Sequence, residues 1–177
     1  NVVLVPEEAF ELQGKHGLLQ YLQRRLQNRG HAVIVVAEGA GQDIYRQEYE
    51  DNLAKGNTDP SGNPILGDIC SLLQDKIKAY FQEQGVPITF KFIDPSYIIR
   101  SIPANSTDRI YCGFLGQNAV HAAMSGKTNM VVSKQQDQYV YLPLDFVTRK
   151  RKKINTQSNY WRAVLESTGQ PIYLRKK

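Results

Sequence analysis

Cysteine is scarce in this chain of 177 residues, which has two in all. Neither Cys70 nor Cys112 has a second cysteine or a histidine at ligand spacing, so no metal motif can be built on them. Both lie in helical patterns among apolar residues, which predicts reduced, buried thiols in a cytoplasmic protein. A long apolar run is missing too, and with it any segment able to span a bilayer as a helix. There is no signal-peptide pattern and no internal repeat. Acidic residues are the minority charge, 17 Asp+Glu against 22 Lys+Arg, giving a net charge of +5. That balance favours anionic ligands only weakly, since much of the excess sits in the run Arg149-Lys150-Arg151-Lys152-Lys153. An initiating methionine is absent as well. The chain opens directly on the strand-like NVVLV, which reads as a cut inside a longer protein. What is present is enough for a core: 41% of the residues are hydrophobic, in a length that suits one domain or part of a larger protein.

The most informative stretch is TFKFIDPSYIIRSIPAN, residues 89–105. Phe90, Phe92 and Ile93 around Lys91 predict a strand. Asp94-Pro95 ends it, because proline has a fixed φ and no amide hydrogen. Ser96, Tyr97 and Arg100 then follow at the carboxyl end of that strand, where α/β folds bind ligands. Arg100 carries a planar fork of donors suited to phosphate or carboxylate, and Lys91 adds a point charge. Together with the Tyr97 hydroxyl they make an anion pocket. On spacing alone a plainer reading weighs more: a strand end with an ordinary surface arginine and a packed tyrosine.

Elsewhere the pattern is that of an α/β chain. Asn1 to Val5 predicts a buried parallel strand. Pro6 stops it, and Glu7, Glu8 and Phe10 occupy the loop beyond. Leu18, Leu19, Leu22 and Leu26 mark one face of a helix that Gly30 closes. Residues 31–37, HAVIVVA, supply the second strand of a right-handed βαβ unit. The turn Glu38-Gly39-Ala40-Gly41-Gln42 lacks the phosphate-cradling glycine spacing and reads as an ordinary tight turn. Residues 43–51 are polar and helix-compatible, and 57–64 form a loop. Leu66, Ile69, Leu72, Leu73, Ile77, Tyr80 and Phe81 predict a helix ending near Gly85. After Pro103 a further helix is expected, capped by Ser106, Thr107 or Asp108. Its apolar face is Ile110, Phe114, Leu115, Ala119 and Val120, with His121 partly buried and without a catalytic role. Ser125-Gly126-Lys127-Thr128 is not a phosphate-binding P-loop: His121 stands where the first glycine is needed, and the motif ends a helix instead of opening one. Met130 to Ser133 and Tyr139 to Leu142 predict short strands, and Tyr160, Trp161, Val164 and Leu165 a last helix.

LVPE at 4–7, HAVIVVAEGAGQ at 31–42, KFIDPSYIIRSIPAN at 91–105 and NAVHAAMSGKT at 118–128 together resemble the C-terminal half of the phosphofructokinases. The nearest branch by these motifs holds plant and protist ATP-dependent enzymes and the pyrophosphate-dependent enzymes. The resemblance runs from Asn1 to about Pro171. It implies an α/β, parallel-sheet, Rossmann-like fold and transfer of a phosphoryl group to the 1-hydroxyl of fructose 6-phosphate in glycolysis. It implies that Glu7 accepts from sugar hydroxyls and that Tyr97 and Arg100 hold the 6-phosphate. Lys91 matches a basic position, often arginine in the family, that reaches the same phosphate from a neighbouring subunit of a homo-oligomer, a dimer or tetramer.

The departures are equally specific. The family's Gly-Gly-Asp donor loop and the Thr-Ile-Asp segment with its catalytic aspartate are absent, and Asp94 belongs to the substrate motif instead. Mg²⁺ and ATP, or pyrophosphate, are therefore cofactors of the full-length enzyme with no ligand residues here, and these residues alone are expected to be inactive. The family fold divides the chain into 1–102, the substrate-side α/β domain; 103–150, a helix and strands returning to the larger domain; and 151–177, a C-terminal helix and tail. An exposed apolar face on the 103–150 helix is expected to drive association. The rival reading is a non-catalytic sugar-phosphate-binding or regulatory module. Nucleic-acid binding through Arg149–Lys153 ranks low, since no aromatic platform is interleaved with the cations.

Overall fold

The structure, a computed structural model, describes residues 1–45 and 65–176. The chain forms two compact units, Asn1–Phe92 with Lys153–Lys177, and Ile93–Lys152. The helix-compatible residues 46–51 and the loop 57–64 lie outside the described residues.

The first unit is mixed α/β. Strand β1 (Val2–Leu4), helix α1 (Leu18–Arg29) and strand β2 (Ile34–Val36) form the predicted βαβ unit. The strands are parallel, with Val3 opposite Val35. Gly30 ends α1 in the left-handed conformation, φ 69°, which glycine adopts without a Cβ penalty. Its amide donates to the Leu26 carbonyl at 2.8 Å. Helix α2 (Ile69–Glu83) starts on Asp68, whose carboxylate accepts from the amides of Cys70 and Ser71. Such a side-chain cap satisfies amides that have no partner within the helix. Ile69, Leu73, Ile77 and Phe81 repeat every four residues and are all buried, so α2 presents one stripe to the core. They cluster with Val2, Leu4, Phe10, Leu18, Leu19, Leu22, Ala40 and Leu174. The last helix of the unit (Asn159–Thr168) buries Trp161 and packs against β1. Just beyond it, the Gln170 side chain accepts from the Val3 amide at 2.7 Å and donates to the Val3 carbonyl at 3.2 Å. One buried glutamine thus completes the outer edge of β1 in place of a further strand.

The strand expected over residues 89–93 does not form. Residues 86–95 have no regular structure. A strand exists only where its backbone groups find a ladder partner, and β2 is paired only with β1 among the described residues. Residues 86–90 instead line a groove of about 500 Å³ together with Leu22, Leu26, Ile34, Ile77 and Phe81.

The second unit begins with a short helix, α3 (Ser96–Ser101), where the sequence reading had only a strand end. Helix α4 (Ser106–Met124) follows. Its N-cap is Asn105, not Ser106, Thr107 or Asp108: the Asn105 Oδ1 accepts from the Asp108 amide at 2.8 Å. Strands β3 (Met130–Gln135) and β4 (Gln138–Pro143) make an antiparallel hairpin. Its two-residue turn, Gln136-Asp137, has φ of 46° and 65°, the positive values that match strand twist. A short helix α5 (Leu144–Thr148) follows, and the Asn159–Thr168 helix of the first unit is α6. Ser125-Gly126-Lys127-Thr128 lies after the end of α4, with Gly126 at φ 72°, so the motif closes a helix as expected. Two burial expectations fail here. His121 and Cys112 are exposed, and of α4 only Ala122 is buried. The apolar residues of α4 surround the helix, and the hairpin covers one side of it. Cys70, in the first unit, is half-buried.

Candidate functional site

The candidate residues fall in both units. Glu7 and Lys91 belong to the first, Tyr97 and Arg100 to the second.

In the first unit, β1 ends at Leu4 and Pro6 opens a turn that carries two acids. Glu8 lies 3.6 Å from Arg175, oxygen to nitrogen. Glu7 has no cation. Its Oε1 accepts from the backbone amide of Ile154 at 3.2 Å, while its Oε2 is enclosed and has no hydrogen-bond partner among the described residues. A buried carboxylate oxygen left unpaired is costly, on the order of 1–3 kcal/mol. Lys91 lies on the irregular stretch before the second unit and is exposed. The neighbouring Phe90 ring lies under Lys78, with Nζ 5.9 Å from the ring centroid.

In the second unit, Tyr97 and Arg100 stand three residues apart on α3. That spacing places both on one helix face, so the short helix does bring this pair together. Tyr97 is 80% exposed, and Arg100 is exposed as well. The plainer reading of a packed tyrosine therefore does not hold. The helix is anchored by Asp94, whose Oδ1 accepts from the Ser96 hydroxyl at 2.6 Å and from the Ser96 amide at 2.9 Å. The Ser96 hydroxyl, then the Ser96 amide and the nearby Arg100 charge, hold the Asp94 carboxyl below the usual carboxylate range. This is a supporting role that the sequence signalled only as a turn, through Asp-Pro-Ser. The Ile154 amide had no sequence signal at all.

Other candidates resolve more simply. In the glycine-rich turn, Gly41 has φ 67°, and a Cβ there would lie 2.7 Å from Ile69 Cδ1 and 3.1 Å from the Phe10 ring. Close packing accounts for that glycine. Gln42 donates to the Gly67 carbonyl and accepts from its amide, tying the turn to the start of α2. The basic run is exposed, with Arg149 5.9 Å from the Phe146 ring centroid. No group of three or more His, Cys, Asp or Glu side chains among the described residues could hold a metal ion. No helix among them is long and apolar enough to cross a membrane. By their chemistry, a carboxylate such as that of Glu7 can accept from hydroxyls, and a guanidinium with a phenol, as on Arg100 and Tyr97, can hold an anion.

No protein-family model matches the chain. Curated relatives do. The ATP-dependent 6-phosphofructokinase of Borreliella burgdorferi is 45% identical over 99% of the chain, and that of Amycolatopsis methanolica is 44% identical over 97%. The ATP-dependent 6-phosphofructokinase 5, chloroplastic, of Arabidopsis thaliana is 42% identical over 98%. The chain spans 39%, 37% and 31% of the length of these three relatives. The resemblance read from the motifs therefore holds along nearly the whole chain, which is homologous to ATP-dependent 6-phosphofructokinases.

Proposed function

We propose that this chain is the fructose 6-phosphate-binding part of a 6-phosphofructokinase, which transfers a phosphoryl group from ATP to the 1-hydroxyl of that sugar. The observation that carries the proposal is homology to enzymes of that name over 97–99% of the chain in the bacterial relatives, in a sequence that has Glu7, Tyr97 and Arg100 within the motifs that resemble the family's. In this reading Arg100 grips the 6-phosphate through its guanidinium fork and Tyr97 donates its hydroxyl to the same group. Glu7 accepts from the sugar hydroxyls. Lys91 reaches the phosphate from a neighbouring subunit of a homo-oligomer. The small parallel sheet belongs to a Rossmann-like domain, residues 1–102, and residues 103–150 return to a larger domain. These residues bind and orient the acceptor. The ATP and Mg²⁺ contacts lie outside them, so the separate 177-residue chain turns over no substrate.

Kinetics of the intact protein test the reading. Arg100→Ala removes a charge-assisted contact and should cost roughly 2–4 kcal/mol. That is about 30- to 1000-fold in kcat/KM for fructose 6-phosphate, with little change in KM for ATP. Arg100→Lys should restore only part, because a point charge cannot reproduce the fork. Unchanged acceptor kinetics in a folded Arg100→Ala protein would return Arg100 to an ordinary surface residue.

A further inference from the structure

We infer that the backbone amide of Ile154 is a positioning group for the Glu7 carboxylate, held ready there for a ligand hydroxyl; this rests on the sugar-binding reading of Glu7. The amide donates to Glu7 Oε1 at 3.2 Å across 147 residues of sequence. Closing so long a loop is entropically unfavourable unless other contacts hold its ends. They do: Gln170 bonds both backbone groups of Val3, Leu174 joins the core cluster, and α6 packs against β1. The segment from Lys153 onward is thereby fixed beside the turn that follows β1.

A glutamate side chain is long and loses considerable freedom when a ligand must order it. Here one oxygen is enclosed and the other is tethered, so the carboxylate has one orientation before any ligand arrives. The tether sits at an exposed position and uses one of the lone-pair sites of Oε1. A carboxylate oxygen accepts two hydrogen bonds, which leaves a site for a hydroxyl. Preordering of this kind lowers the cost of binding. It acts through the backbone, because the Ile154 side chain is itself 38% exposed.

Two variants of the intact protein separate backbone from side chain. Ile154→Pro removes the N–H and should raise KM for fructose 6-phosphate about tenfold, the worth of one such bond, with kcat and KM for ATP nearly unchanged. Ile154→Ala keeps the N–H and should behave like the parent. If Ile154→Pro does not fold, hydrogen exchange decides on the parent protein: Glu7→Ala should speed exchange at the Ile154 amide several-fold, and fructose 6-phosphate should slow it in the parent. Parent-like acceptor kinetics in folded Ile154→Pro, or an Ile154 amide indifferent to Glu7→Ala, would overturn the inference. If Glu7→Ala weakens the sugar while Ile154→Pro does not, the inference fails and the reading of Glu7 stands. If neither variant alters the sugar, the reading of Glu7 fails with it.

Discussion

The two units of this chain handle their apolar residues in opposite ways. The first closes a core around Phe81, Leu18, Ile69 and Val2, each at most 2% exposed. The second buries only Ala122 on its long helix, and leaves Ile110, Phe114, Val120 and Met124 at 48–83% exposure. Both helices, α2 and α4, are rich in apolar residues. The difference lies in arrangement. In α2 the apolar positions fall in one stripe that α1 and the sheet can cover. In α4 they surround the axis, the pattern of a helix meant to be enclosed, and the unit itself supplies cover for one side. The first unit has the packing that stabilises the fold, and the second presents exposed groups, Tyr97 and Arg100 among them.

Core truncation should sharpen that contrast most. Phe81→Ala should destabilise by about 3–5 kcal/mol, the usual range for an enclosed aromatic, read as a lower urea midpoint. Substitutions that act through one contact should do less. Gln170→Ala leaves the Val3 amide and carbonyl unpaired and should cost about 1–3 kcal/mol. Gly41→Ala should cost a similar amount, about 1–3 kcal/mol, because it combines a strained positive φ with a clash against Ile69 and Phe10. On the other side of the comparison, Phe114→Ser loses a tilted ring contact with Tyr139, centroids 5.7 Å apart, and should shift stability by no more than about 1.5 kcal/mol. It should also reduce self-association in light scattering, since it removes an exposed apolar contact. A large loss of stability from Phe114→Ser would break the contrast. The smallest effect concerns pH. The Asp94 carboxyl is held low in the folded chain by Ser96, so its share in anchoring α3 is fully present above the ordinary carboxylate value. That share is lost as pH falls through the lowered folded value. In an NMR titration Asp94 should titrate below a normal aspartate, and Ser96→Ala should bring it back up.

Much of the first unit was legible because its signals are local. Leucine spacing gave α1, Gly30 gave its end, and the four-residue repeat from Ile69 to Phe81 gave α2. The hairpin was legible for the same reason, from two apolar runs around a polar turn. Residues 89–93 misled because their composition is strand-like, whereas strand formation needs a partner that composition cannot supply. His121 and Cys112 misled because an apolar helix pattern reports a preference for burial, not the presence of a cover. At the candidate site, the Tyr97–Arg100 pairing was visible as a spacing once α3 is known to be helical. The Glu7–Ile154 contact was not, since nothing local joins residues 147 apart.

The most direct test of the account crosses two variants with two acceptors in the intact protein. Arg100→Ala and Glu7→Gln are each assayed with fructose 6-phosphate and with an analogue lacking the 6-phosphate, after circular dichroism shows that both fold. The account predicts that Arg100→Ala harms only the use of the phosphorylated sugar, whereas Glu7→Gln harms both acceptors. Equal sensitivity of both acceptors to Arg100→Ala, or indifference of both to it, would contradict the assignment of Arg100 to the phosphate.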